Sequence, residues 1–480
     1  MDKIDALKNW LKKVKTPPYK DSTIKRYITA LTKAEEWLSI SLSVPVFDIS
    51  TSAEFLQMRN EITGAPNYED VNRDHGHGDL SAALRLYEKY VAEKEKNGTT
   101  SKTKPEVKTK VEMKKSEIIE TVKEYIAASG FSYEGNLVEN FWLSLKSKPF
   151  VILAGTSGTG KTRLVRLFAE AIEAEYQLVS VRPDWSDSSD LFGHVNLRGE
   201  FVPGAIIDFV KRASLDTSRP YILCLDEMNL ARVEYYLSDF LSVIETRRKK
   251  GPDIITDEIT LDKSAEKKYG KVIIPENLYV VGTVNMDETT FPFSKKVLDR
   301  ANTIEFSDVD LVPNFEDMPS EKKTIQQNNS FLRSEYIVLK TDVKDEDRKF
   351  VVDICNRLES INRILRKANA HVGYRVRDEI AFYMLNNHHA ELLKENEAFD
   401  NELMQKILPR IQGSSGIVRD LLCNLFKEFA GDYTGISKSA VSEQMQEYID
   451  SKECTYKKSA EKICYMMRRY EEDGFTSYWL

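Results

Sequence analysis

Apolar residues recur at helical spacing from Ser22 onward. Ile24, Tyr27, Ile28 and Leu31 stand at i, i+3, i+4 and i+7, which places one stripe along one side of a helix with Ser22 as its cap. A second helix in the same register follows Gly78, striped by Leu80, Ala83, Leu84, Tyr87 and Val91, with Asp79 as its cap. Residues 1–92 therefore read as a small, mainly α domain. Across 93–116 the apolar positions thin out among Lys, Thr and Glu, with Pro105 between them. Such a segment has too little to bury to offset its ordering entropy, which predicts a flexible charged linker.

Helical signals resume at Ile118, and then the pattern changes. Phe150-Val151-Ile152-Leu153-Ala154 predicts a short, fully buried strand running straight into glycines, followed by a helix over Leu164 to Ile172. Further β-like runs stand at Gln177–Val181, Tyr221–Leu225 and Leu278–Val281, separated by helical or loop sequence. That alternation predicts an α/β domain over 117–310, a parallel sheet flanked by helices. From about 340 onward the pattern is mostly helical, so 311–480 reads as a helical region with a C-terminal helical extension. Its last stripe is Ile463, Met466, Met467 and Tyr470, ended by Gly474. The aromatics that follow, Phe475, Tyr478 and Trp479, either fold back onto their own core or dock a partner.

With 480 residues the chain is long enough for two or three cores. Its 41% apolar and 30% charged residues describe a globular protein, and no apolar run approaches the roughly 20 residues a membrane helix needs. No membrane role is expected. Charge in Met1-Asp2-Lys3-Ile4-Asp5 speaks against a secretory signal, and five scattered cysteines, none in a C-x-x-C pair, read as reduced thiols in cytoplasm. A net charge of −7 argues against a nucleic-acid coat protein, although nine Lys/Arg against three Asp within residues 1–33 leave a local basic face, either solvated or set against DNA.

Candidate chemistry starts at Gly155-Thr156-Ser157-Gly158-Thr159-Gly160-Lys161-Thr162, which has the form of a phosphate-binding loop. Glycines let backbone N–H groups wrap phosphates, and the helix behind them adds positive potential. Lys161 is placed to reach the β- and γ-phosphates, and Thr162 to ligand Mg2+. The second element is the end of YILCLDE: Asp226 would hold Mg2+, directly or through water, and Glu227 would polarise the attacking water. An apolar strand ending in Asp-Glu commonly marks a turn. Here it follows Lys161 by 65 positions, room for an intervening βα unit. Asn285, ending LYVVGTVN, is either a sensor of water or γ-phosphate or an ordinary strand-end residue. Arg300, in VLDR, either offers its guanidinium to a neighbouring subunit's nucleotide or pairs at the surface with Asp299 or Glu305.

Taken together, GTSGTGKT, LDEMNLARVEYYLSDFLSVIE, IPENLYVVGTVN and LDRANTIEF resemble the AAA+ module of the McrB-like motor subunits of modification-dependent restriction systems, over about residues 117–430. Gly373-Tyr374-Arg375-Val376 is similar to the family's helical-lid segment and makes Arg375 a candidate sensor-2 residue; Lys406-Ile407-Leu408-Pro409-Arg410-Ile411 also resembles a lid segment. The resemblance implies an AAA+ P-loop NTPase core with a helical lid, working as a homo-oligomeric ring, a hexamer, that hydrolyses nucleotide at subunit interfaces. It also implies an N-terminal domain that reads double-stranded DNA and a McrC-like nuclease partner that does the cutting. A MoxR-like protein remodeller without DNA binding is the rival reading. One departure bears on the substrate. Where the family has Met-Asn-Thr-Ala-Asp-Arg, this chain has Val284-Asn285-Met286-Asp287-Glu288-Thr289, with the Asp one place early and the Arg missing. The base is left open between ATP and GTP, with ATP favoured.

Three further features have bland alternatives. His75 and His77 lack ligand-spaced partners and read as turn residues rather than a metal site. Trp185 either packs on its own domain or faces a central pore. Arg247-Arg248-Lys249-Lys250, ahead of a hairpin insertion ending at Pro275, is either a solvated run or a pore-facing one.

Overall fold

The computed structural model describes residues 3–12, 19–40, most of 42–74, 79–97, 113–286, 291–306, 321–431, 433, 435 and 440–479. The chain divides into two units, Met1–Lys110 and Val111–Leu480.

In the first unit the predicted stripes become the core. Helix α1 (Asp21–Thr32) buries Ile24, Ile28 and Leu31, and helix α2 (Asp79–Asn97) buries Leu80, Ala83, Leu84, Tyr87 and Val91. Neither expected cap holds. Lys20 occupies the N-cap position of α1, and Ser22 lies inside the first turn. Asp79 instead receives two 2.6 Å hydrogen bonds from Arg26 Nε and Nη2, tying α2 to α1. A planar guanidinium matches a carboxylate in this two-point way, and a helix's first turn also favours an acid. The stretch expected as a linker is helical to Asn97 and lies outside the described residues from 98 to 112.

The second unit is built on five parallel strands: β1 (Phe150–Gly155), β2 (Glu175–Ser180), β3 (Tyr221–Asp226), β4 (Leu278–Asn285) and β5 (Asn302–Glu305). Their order across the sheet is β5-β1-β4-β3-β2. The central strands read as unbroken apolar runs because both faces of a parallel sheet are covered. Alternation shows in where the side chains go. Val151, Leu153, Ile222, Cys224, Tyr279 and Val281 enter one core, while Phe150, Ile152, Leu223, Leu225, Leu278 and Val280 enter the other. Each such buried side chain contributes about 1.5–3 kcal/mol. The edge strand β2 is half exposed, as its mixed sequence EYQLVS requires.

Helix α3 (Lys161–Ala171) follows β1 directly, so the glycine loop sits at the C-terminal end of the sheet, beside the point where the strand order reverses. Beyond residue 321 the described chain is mainly helical, including Arg348–Arg366, α4 (Tyr374–Ala390), Gly416–Ala430 and Lys457–Asp473. Of the C-terminal aromatics, Tyr478 and Trp479 fold back on this unit and Phe475 stays exposed. Thr476–Ser477 pairs with Gln412–Gly413, Tyr478 is buried, and Trp479 packs against both cores.

Candidate functional site

Two glycines of the loop, Gly158 and Gly160, hold φ of +81° and +90°, a region that costs little only without a Cβ. Gly155 is required for another reason: a Cβ there would run into the backbone carbonyl of Phe306, which crosses from the end of β5. Lys161 opens α3 and is buried. Its ammonium is turned onto the loop's own oxygens, 3.1 Å from the Gly155 carbonyl, 2.5 Å from the Thr156 carbonyl and 3.4 Å from Thr159 Oγ1. Thr156, Ser157 and Gly158 are exposed, so the loop opens outward from a fixed base. Tyr133 donates to the Gly160 carbonyl at 3.1 Å, and burial raises its phenol pKa well above the ordinary value. This contact was not legible in the sequence, because Tyr133 lies outside any motif.

Strand β3, separated from β1 by β4, delivers the acids. Thr162 Oγ1 donates to Asp226 Oδ1 at 2.5 Å, and Thr283 Oγ1 donates to the same oxygen at 2.7 Å. The Glu227 amide donates to Thr283 Oγ1 at 3.1 Å, and Asn285 Nδ2 donates to Glu227 Oε1 at 3.0 Å. Loop, β3 and β4 thus join in one chain of hydrogen bonds from Thr162 to Asn285. Thr283 is the member sequence reasoning passed over. Its signal was a hydroxyl in the middle of an otherwise apolar strand.

Glu227 leaves β3 with φ +51°, an uncommon conformation for a residue with a side chain, costing roughly 1–2 kcal/mol. Packing holds it there. Met228 is fully buried with its sulfur against Gly282, where a Cβ would collide with it, and Tyr236 donates to the Met228 carbonyl at 2.9 Å. Cys224, inside β3, has its thiol pushed up to about 12 by burial and by Asp226, so it stays protonated at neutral pH.

Chemically, Thr162 and Asp226 present a hydroxyl and a carboxylate oxygen in contact, the hard donors that would hold Mg2+. The donor set fits that ion. Residues 287–290, which carry most of the altered segment after Asn285, lie outside the described residues, as do His75 and His77.

Arg300 and Arg375 are not part of this cluster. Arg300 precedes β5, whose first residue Asn302 pairs with Val151 at the start of β1. It therefore stands at the N-terminal edge of the sheet, about 20 Å from the loop by the length of a six-residue strand. Its expected surface partners, Asp299 and Glu305, are not the ones it takes. Nε donates to the Leu241 carbonyl at 2.9 Å, Nη1 to the Lys296 carbonyl at 2.8 Å, and Nη2 to Glu245 Oε2 at 2.8 Å. Arg375, in the first turn of α4, meets the other oxygen of the same Glu245 at 2.7 Å. The structure brings the two arginines to each other and not to the loop of their own chain.

Of the pore candidates, Trp185 resolves toward packing, while Arg248–Lys250 stay exposed. Trp185 is buried edge-to-face against Tyr236. Arg248 pairs with Asp257 and Lys249 with Asp342, both in an exposed hairpin of Arg248–Lys250 with Asp253–Ile255.

A five-stranded parallel sheet in this order, with a phosphate loop at the tip of its first strand and helices on both faces, is the fold of an AAA domain. The family model of the AAA domain (dynein-related subfamily) matches residues 150–301, and that of a domain of unknown function (DUF8727) matches 321–475. A Lon protease of Lachnoclostridium phytofermentans is 27% identical over 159 residues, which cover 33% of this chain and 18% of that protein. The chain thus spans less than a fifth of that relative's length. Among solved structures, a "putative ATPase" from Cytophaga hutchinsonii is 15% identical with a TM-score of 0.38, covering 61% of this chain and 88% of that one. Among the described residues no helix is long and apolar enough to cross a membrane.

Proposed function

We propose that this chain is an AAA+ nucleoside-triphosphatase that acts as a homo-oligomeric ring, each site joining one subunit's loop to its neighbour's arginines. The observation that carries the reading is the hydrogen-bonded run Thr162, Asp226, Thr283, Glu227, Asn285 beside Lys161. Lys161 and the loop amides bind the triphosphate, and Thr162 and Asp226 hold Mg2+, which neutralises charge on the phosphates. Glu227 takes the proton of the attacking water, a role worth about 10²–10⁴-fold in rate. Asn285 fixes the direction of that carboxylate. Arg300 sits too far from its own loop to touch the same γ-phosphate, so its guanidinium serves the adjacent subunit, with Arg375 beside it. ATP is the favoured substrate and GTP the alternative.

What the hydrolysis drives is read from the resemblance to McrB-like motors: a ring that binds double-stranded DNA and powers a McrC-like nuclease in cytoplasmic defence against foreign or modified DNA. The test is phosphate release by the full chain with ATP or GTP, alone, with DNA, and with DNA plus a McrC-like partner. Stimulation by the pair together is expected; a rate indifferent to both sinks this reading. One observation favours the rival, a MoxR-like remodeller of protein partners. Residues 1–92 hold 13 Lys/Arg against 13 Asp/Glu, and Lys12, Arg26 and Lys33 are each paired with an acid. Filter binding of the full chain to methylated and unmethylated duplexes separates the two, since a remodeller retains neither.

A further inference from the structure

Two guanidiniums meet on the Glu245 carboxylate, and the two belong to different parts of the fold. Arg300 ends the short helix before β5, and Arg375 opens α4. Glu245, from the turn Ile244–Thr246, gives one oxygen to each. A guanidinium has five N–H groups. Arg300 commits one each from Nε, Nη1 and Nη2 to Leu241, Lys296 and Glu245, which fixes its plane and leaves two N–H groups for a phosphate.

The backbone around Arg300 is held just as firmly. Lys148 donates to the Asp299 carbonyl at 3.4 Å and Lys406 to the Ala301 carbonyl at 2.6 Å, one on each side of the arginine. Both ammoniums meet on Glu379 of α4, and Arg410 pairs with the Asp299 carboxylate. Burial raises the Glu379 pKa, but Lys148 and Lys406 together bring it below its ordinary value. Two helical-region residues, Lys406 and Arg410, together with Lys148 before β1, therefore grip the segment carrying Arg300, and the helix supplying Glu379 also supplies Arg375.

We propose that Glu245 is a positioning residue for hydrolysis in the adjacent subunit: it sets Arg300 and Arg375 as one preorganised pair of guanidiniums facing that subunit's triphosphate. This rests on the proposed ring with arginines acting across the interface. The two arginines depend on Glu245 unequally. Arg300 keeps two backbone anchors without it. For Arg375, Glu245 is the ion-pair partner, and its side chain is otherwise 45% exposed. Loss of Glu245 therefore disorders Arg375 first.

The experiment uses full-length chains, Mg2+ and the preferred triphosphate, with steady-state phosphate release and nucleotide binding measured for Glu245→Gln, Glu245→Asp, Arg375→Ala, Arg300→Ala and the doubles. Glu245→Gln should lower kcat by about 10²-fold, the cost of misplacing a catalytic group by about 1 Å, with KM and nucleotide binding little changed. Glu245→Asp should recover part of the rate. Adding Arg375→Ala to Glu245→Gln should cost little more, because both remove the same element, whereas adding Arg300→Ala should cost much more. Each slow chain is then mixed with Lys161→Ala, whose loop is disabled but whose Glu245, Arg300 and Arg375 are intact. Recovery of hydrolysis is expected, and it also shows that the slow chain is folded. Wild-type turnover by Glu245→Gln, or a defect that mixing leaves in place while Arg300→Ala recovers, overturns the role of Glu245. If Arg300→Ala itself does not recover on mixing, the cross-subunit reading of the site fails instead.

Discussion

The two edges of the central sheet carry the two halves of the proposed site, and they are built in opposite ways. At the C-terminal edge, Lys161, Thr162, Asp226, Glu227 and Asn285 stand at or just past the ends of three strands, so the backbone that ends each strand also aims its side chain. At the N-terminal edge, Arg300 and Arg375 meet over Glu245, and Glu379 gathers Lys148 and Lys406, from five separate stretches of chain. The first half is positioned by parallel pairing of neighbouring strands. The second is positioned by ion pairs between the sheet's entry points and the helical region. A parallel sheet forces the separation, because the C-terminal ends of its strands all face one way.

The contrast can be broken most forcefully at Arg300. Arg300→Ala should lower kcat by about 10³–10⁵-fold, as loss of an arginine finger does, while nucleotide still binds, measured by phosphate release beside equilibrium binding. Unchanged turnover would remove the N-terminal edge from the chemistry. Next in size, Glu227→Gln should lower kcat by about 10²–10⁴-fold with nucleotide retained, and, unlike Arg300→Ala, it should disable the subunit that carries it. Mixing each variant with Lys161→Ala separates them: Arg300→Ala recovers, and Glu227→Gln does not.

Thr283→Val sharpens the comparison through stability. It keeps the shape but removes the acceptor for the Glu227 amide and a donor to Asp226, which should cost about 1–3 kcal/mol in chemical denaturation and slow turnover. A variant as stable and fast as the parent would mean the hydroxyl does not hold the C-terminal edge together. The effect that bears least on the two edges belongs to Glu402, buried in the helical region with no hydrogen-bond partner for either oxygen among the described residues. Burial pushes its carboxyl up from 4.5 to about 8. A group with a raised folded pKa stabilises while it is protonated, so its contribution falls as pH rises between 4.5 and about 8. Glu402→Gln, which stays neutral, should flatten the fall in Tm over that window; an unaltered pH profile would contradict the assignment.

How much of this was legible depended on distance along the chain. Phe150–Gly155, Tyr221–Asp226 and Leu278–Asn285 were visible as apolar runs with polar ends, because a buried strand must be apolar and its functional tip must not be. The edge strand was placed two residues late, since Glu175 and Tyr176 pair like strand residues without looking buried. Ser22 and Asp79 looked like caps, and Asp79 turned out to answer Arg26, 53 positions away. Trp185 and the C-terminal Tyr478 followed the general rule that large aromatics seek a core.

By itself the sequence determined the alternation of strand and helix, the phosphate loop with its two acids, and the likeness to an AAA domain, because each is a local pattern of residue type and spacing. Only the tertiary structure decided that Thr283 links the acids, that Gly155 and Gly282 must lack a Cβ, and that Arg300 and Arg375 share Glu245 away from their own loop. Those facts depend on which distant residues come within a few ångströms of one another. Packing of the sheet against its helices sets that, and no spacing along the chain records it.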